Sequence, residues 1–126
     1  MTLSATTFDR SVKHRIISDS ECNSVVSTNV AGGPCLLKSI IIDNTQGSAT
    51  NWVRCANGTS STIGSDQVRV SVPCVKQSKT VVEFPDGIPF ELGLSFWCSG
   101  NESISSSTAP STTVSTGKII VTLVLG

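Results

Sequence analysis

The chain has 126 residues, 9 basic and 9 acidic, a net charge of zero and only 14% charged residues. That balance excludes the positive field by which nucleic acid is bound, and no apolar run approaches the ~20 residues of a membrane-spanning helix. A single domain of this size buries roughly two thirds of the surface of its unfolded chain, so it needs neither metal nor disulfide to hold it.

Val (14), Ile (10) and Thr (14) supply 38 of the 126 residues, against 5 Ala and 7 Leu. Branching at Cβ suits a pleated surface and restricts rotamers in a helix, so the composition predicts an all-β domain. Solubility falls to 21 Ser and the 14 Thr, and a weakly charged, neutral surface favours association.

Residues 1–18 read as an N-terminal arm and first edge strand, and residues 19–126 as a β-sandwich domain. The arm clusters Arg10, Lys13, His14 and Arg15 around Val12. It serves either as an edge whose charges discourage pairing or as an arm docking on an acidic neighbour. The opening residues carry no basic n-region or apolar h-region, which predicts synthesis in a cytoplasm. Val25 and Val26 suggest a short strand before the turn at Ala31, Gly32, Gly33 and Pro34.

Residues 35–43, CLLKSIIID, are apolar on both alternating sets, as in a central strand covered on two sides or packed at an oligomer contact. A hairpin loop at 44–50 leads to a return strand at 51–56. Residues 57–66 form a connection, and the sequons at Asn57 and Asn101 are chance without a secretory route. Gln67 to Val72 alternates, with Val68, Val70 and Val72 inward, and Pro73 ends it or marks an edge.

Ser78 to Phe84 is the next strand. Pro85, Asp86, Gly87 and Pro89 predict a turn, because proline fixes φ and glycine accepts positive φ. From Phe90 the alternation of Phe90, Leu92, Leu94, Phe96 and Cys98 predicts a strand with those side chains inward. Trp97 falls out of phase, so it is either covered by a loop of the same chain or part of a contact surface, and Trp52 shares that ambiguity. The hydroxyl-rich tract from Ser103 to Thr116 is long for a compact domain, hence functional or mobile. Lys118 to Leu125 closes the chain, with Ile119, Val121, Leu123 and Leu125 inward. About eight strands and no helix pattern predict an antiparallel β-sandwich or jelly roll.

The five cysteines, Cys22, Cys35, Cys55, Cys74 and Cys98, lie 13, 20, 19 and 24 residues apart, without the spacing of a zinc or redox site. They read as buried thiols, with a disulfide formed after release from the cell as the alternative. The one histidine, His14, has no acid partner at readable spacing, so no general base is assembled and no enzyme is expected. Gly32 and Gly33 open no helix, so there is no phosphate cradle. Asp43, Asp66 and Asp86 read as turn caps rather than calcium ligands. No cofactor or metal is expected.

The segments VAGGPCLLKSIIIDNT, NWVRCANG and VVEFPDGIPFELGLSFWCSG, followed by a Ser/Thr loop and a last strand, together resemble small β-sandwich virion proteins of tailed bacteriophages. Ile42, Asp43 and Asn44 match an "idN" element of those sequences. Gly87, Ile88, Pro89, Phe90, Gly93, Leu94 and Ser95 match a "GipF..GLs" element. The similarity spans about residues 30–126 and departs from the pattern in its cysteines and its lack of tyrosine.

The resemblance implies a non-enzymatic virion protein, made in the host cytoplasm: a head decoration (cement) protein on the major capsid lattice, forming a homo-oligomer such as a trimer. No nucleic acid or membrane partner is implied. Arg10, Lys13, Arg15, Trp52, Trp97, Ile104 and Val114 are the contact candidates, the arm and the Ser/Thr loop reaching across junctions between subunits. Neck, tail or fibre components, or a lectin-like glycan-binding module, are the alternatives.

Overall fold

The computed structural model describes residues 3–7, 15–64, 67–113 and 116–126. Eight strands form: β1 (Leu3–Thr7), β2 (Arg15–Cys22), β3 (Cys35–Asn44), β4 (Asn51–Asn57), β5 (Val68–Cys74), β6 (Ser78–Phe90), β7 (Leu94–Ser99) and β8 (Ile119–Leu125). No helix occurs among the described residues. The strands build two antiparallel sheets, one ordered β1-β2-β8-β3-β6 and the other β5-β4-β7. Their apolar sides share one core, in which Ile17, Leu37, Ile40, Ile42, Val121, Leu123 and Leu125 of the larger sheet meet Val53, Cys55, Val72, Phe96 and Cys98 of the smaller. Burying a side chain of the Leu or Phe kind stabilises by about 1.5–3 kcal/mol, so these facing sets hold the two sheets together.

Local sequence accounts for most of this. In β8 the period-two pattern places Ile119, Val121, Leu123 and Leu125 in the core while Ile120 faces out. In β5, Val70 and Val72 are buried and Pro73 lies within the strand, which is an edge of its sheet, where a missing N–H does no harm. All five cysteines are free thiols, four buried and Cys35 half-buried. Burial pushes the Cys55 thiol up to about 12.

Three predicted boundaries move. The first edge is taken by β1, so β2 lies second in the sheet and runs across the boundary drawn at residue 18. Residues 23–30 form no strand of their own: Ser27 alone bridges to Phe96.

The largest change concerns residues 84–93. Ser39 pairs with Glu83 but Leu37 pairs with Ile88, so residues 84–87 of β6 stand opposite Lys38 alone. This bulge, with Gly87 at φ 75°, absorbs the Pro85–Pro89 stretch inside β6 instead of making a turn. Against β8, Lys38 is an extra residue of β3, since Leu37 pairs with Leu125 and Ser39 with Val124, and this shift of phase buries Leu37, Ile40 and Ile42 although they belong to two different alternating sets. The chain reverses later, at residues 91–93, where Gly93 has φ 155° and a Cβ would come within 2.7 Å of Asn29 Oδ1. Leu92 consequently projects outward at 61% exposure, not into the core.

Candidate contact surface

Each sheet has a second, outward side, and the two differ. On the small sheet, β4 presents Trp52, Arg54 and Ala56 away from the core, because Val53 and Cys55 point into it. Arg54 is paired across strands with Ser71 on one side and Trp97 on the other. Its Nε donates to Ser71 Oγ at 3.2 Å and its Nη2 to the Asn101 carbonyl at 2.7 Å. The second bond draws the chain leaving β7 back over this side, and Ser105 comes close to Gly64 of the 58–64 loop. Arg54 and Trp97 end at 0% and 1% exposure.

Trp97 is therefore covered within its own chain, which removes it from the directly accessible contact residues. Trp52 is half-buried, its ring centroid 5.9 Å from the Arg54 guanidinium carbon, a cation–π contact. Burial lowers the pKa of Arg54. Its Nη1 and the Trp97 Nε1 have no hydrogen-bond partner.

The hydroxyl-rich segment that follows is pinned at both ends. Gly100 N donates to Thr108 O at 3.1 Å, while Ser111 N donates to Asn51 Oδ1 at 2.9 Å. Asn51 Nδ2 in turn donates to Ser111 O and to Asn44 Oδ1, and Asn44 Nδ2 faces the carbonyls of Ala49, Cys74 and Val75 at 2.9–3.1 Å. Asn44 and Asn51 are both fully buried. Thr113 N donates to Gln46 O at 2.8 Å and Lys118 N to Gln46 Oε1 at 2.7 Å. The segment is thus a strap sewn to the sandwich, and it carries Ile104 outward at 55% exposure.

Among the described residues no such strap crosses the large sheet. Cross-strand pairing sets Ile16 beside Val124, Thr122 beside Ile41, and Ile41 beside Val81 on its outward side. Ile120 joins them beside Asp43. Val81 is 59% and Ile120 37% exposed, while Ile16, Ile41 and Val124 are shielded only in part. Ser18 and Thr122 hydroxyls lie 3.4 Å apart within this stretch. Charge appears at its rim, where Lys79 Nζ is 3.9 Å from Asp43 Oδ2. An apolar centre with a polar rim is the anatomy of a protein contact surface.

Of the other contact candidates, Arg15 is half-buried and its Nη1 donates to the Ala31 carbonyl at 2.8 Å, tying β2 to the following turn. Arg10, Lys13 and Val114 lie outside the described residues. So do His14 and Asp66. The open apolar side holds none of the named contact candidates, although residues 35–43 read as a strand covered on two sides or packed at an oligomer contact. Its signal was present in Ile41 and Ile120, apolar residues at the outward phase of strands whose inward phase was already full. Among the described residues no group of three or more His, Cys, Asp or Glu is placed to hold a metal, and no helix is long and apolar enough to cross a membrane. The chain matches no protein-family model, no curated protein sequence and no solved structure.

Proposed function

We propose that this chain is a non-enzymatic structural protein of a tailed-bacteriophage virion, a head decoration (cement) protein that seats on the major capsid lattice as a homo-oligomer such as a trimer. The observation that carries the reading is the outward side of the large sheet, where Ile41, Val81, Ile120 and Val124 form an apolar centre, ringed by polar groups, that the described residues leave partly open. A near-neutral chain with such a side associates through many weak contacts, and a symmetric lattice multiplies them into avidity.

The strand order supports a jelly roll as the finer form of the sandwich. After β1 the chain alternates between sheets: β2 in the large one, Asn23 to Val30 alongside β7, β3 back in the large one, β4 and β5 in the small one, then β6, β7 and β8 by turns. With β1 set apart as an added edge strand and the 23–30 segment counted as a reduced strand beside β7, two four-membered sheets result, and capsid and lectin domains both use that architecture. Fold alone does not decide between those uses, and the open apolar side supports the capsid reading.

The test uses purified heads that lack the protein. Saturable binding at a stoichiometry set by the capsid lattice supports the proposal, as does its loss on Val81→Asp with Ile120→Asp. Binding to tails or necks alone, or binding that free sugars inhibit in the absence of affinity for heads, overturns the cement assignment.

A further inference from the structure

Two of the five thiols are placed differently from the rest. Cys22 ends β2 in the large sheet and Cys98 lies in β7 of the small one. Immediately after Cys22 the chain crosses to run beside β7. There the Cys98 N–H donates to the Asn23 carbonyl at 2.9 Å, and Ser27 and Phe96 exchange both backbone hydrogen bonds at 2.9 and 3.0 Å. This brings the end of one sheet level with Cys98 of the other, the residue after Cys22 being hydrogen-bonded to Cys98 itself. Disulfides span Cα separations of about 4.4–6.8 Å, the range of neighbouring extended segments.

Access is also unequal. Cys98 is 0% exposed and Cys22 4%. Cys22 lines a surface cleft of about 360 Å³, walled by Asn23, Ala109, Pro110, Thr112 and Ile119. Lys118 and Glu21 also line it, ion-paired at 2.8 Å.

We propose that Cys22 and Cys98 are a latent inter-sheet disulfide, closed by a small disulfide oxidant such as oxidised glutathione entering the cleft. Cys22, as thiolate, attacks one sulfur of the oxidant; a mixed disulfide forms at Cys22 and one glutathione thiolate leaves. Cys98, deprotonated, then attacks the Cys22 sulfur, forms the Cys22–Cys98 bond and expels the second glutathione. The two protein thiols lose two electrons to the oxidant, and their two protons pass to the two glutathione thiolates. The neighbouring Cys98 and burial push the Cys22 thiol up and so disfavour its thiolate. Closure is therefore slow and belongs to a protein that has left a reducing medium. The bond joins the sheets through their core and constrains the unfolded chain between residues 22 and 98. It stands whichever assembly the protein joins.

The experiment incubates the folded, reduced full-length protein with oxidised glutathione, quenches with an alkylating agent, and maps peptides by mass spectrometry without reduction. The expected result is one linked pair, Cys22 with Cys98, a fall in titratable thiols from the five of the sequence to three, and a higher melting temperature that dithiothreitol reverses. Cys22→Ser abolishes the link while Cys35→Ser keeps it; if Cys22→Ser fails to fold, the wild-type map decides alone. Glutathione retained on Cys22, a link through any other cysteine, or five thiols still titrating after exposure overturns the proposal.

Discussion

The outward sides of the two sheets invert the usual relation between chemistry and cover. The small sheet turns a guanidinium and an indole outward and then seals them, leaving Arg54 and Trp97 at 0% and 1% exposure. The large sheet turns aliphatic side chains outward and leaves Val81 59% exposed. A sealed polar side is a structural device, held by Asn44, Asn51 and Asn101. An open apolar side is where a neighbour gains by binding. Contact residues are thus better sought on β3, β6 and β8 than at the tryptophans.

Trp97→Ala should give the largest effect, a loss of about 3–5 kcal/mol, because it empties a large buried volume beneath the strap. Urea unfolding of the two proteins measures it. A loss below about 1 kcal/mol would mean that the strap does not seal the small sheet.

Next comes Asn44→Ala, expected to lose roughly 2–4 kcal/mol, since it strands the carbonyls of Cys74 and Ala49 and the amide of Asn51 together. Limited proteolysis should then cut within residues 100–113 first, because Asn51, which holds Ser111, loses the Asn44 oxygen that orients its amide. Arg54→Met separates charge from bulk on the same side. It keeps the packing against Trp52 and removes a buried cation whose hydrogen bonds run to neutral oxygens, so stability should stay within about 1 kcal/mol of the parent or rise. On the open side, Val81→Ser should change stability by about 0.5 kcal/mol or less while weakening partner binding.

The sequence carried the sandwich because β5 and β8 keep a strict period of two, and a strand with one filled side announces its phase. It misread residues 84–93 for a reason that no single-strand pattern holds. Pro85, Asp86 and Gly87 make a turn or a bulge according to what lies opposite, and Lys38 of β3 lies there. The cover over the outward side of the small sheet was equally nonlocal, since the chain is held back across it by the hydrogen bond from Arg54, the cross-strand partner of Trp97, to the Asn101 carbonyl. Asn44 read as a loop start, and nothing in the sequence marked its side chain as the support of Asn51, which pins the strap 60 residues away at Ser111. The open apolar side was legible one residue at a time but needed the strand order β8-β3-β6 to become a surface.

The smallest expected effect tests how open that side is. Asp43, at its rim, accepts from the Thr45 hydroxyl at 2.5 Å and from the Thr45 N–H at 3.0 Å, with Lys79 beyond. The Thr45 hydroxyl is the main cause holding the Asp43 carboxyl below its usual value. A carboxyl whose pKa is lower in the folded state adds stability above its unfolded pKa of about 3.9, and that stability is lost as pH falls through the folded value. Glu21 and Glu91 are lowered as well, so the whole acid limb has several contributors. Thr45→Val isolates one of them: the variant should match the parent's relative loss of stability down to about pH 5 and lose less below about pH 4, measured as urea midpoints. Because water reaches the rim, the difference should be a small fraction of the Asn44→Ala effect. A difference as large as that of Asn44→Ala would mean that the Asp43 rim is shut away from solvent, and the contrast between the two sheet sides would fail.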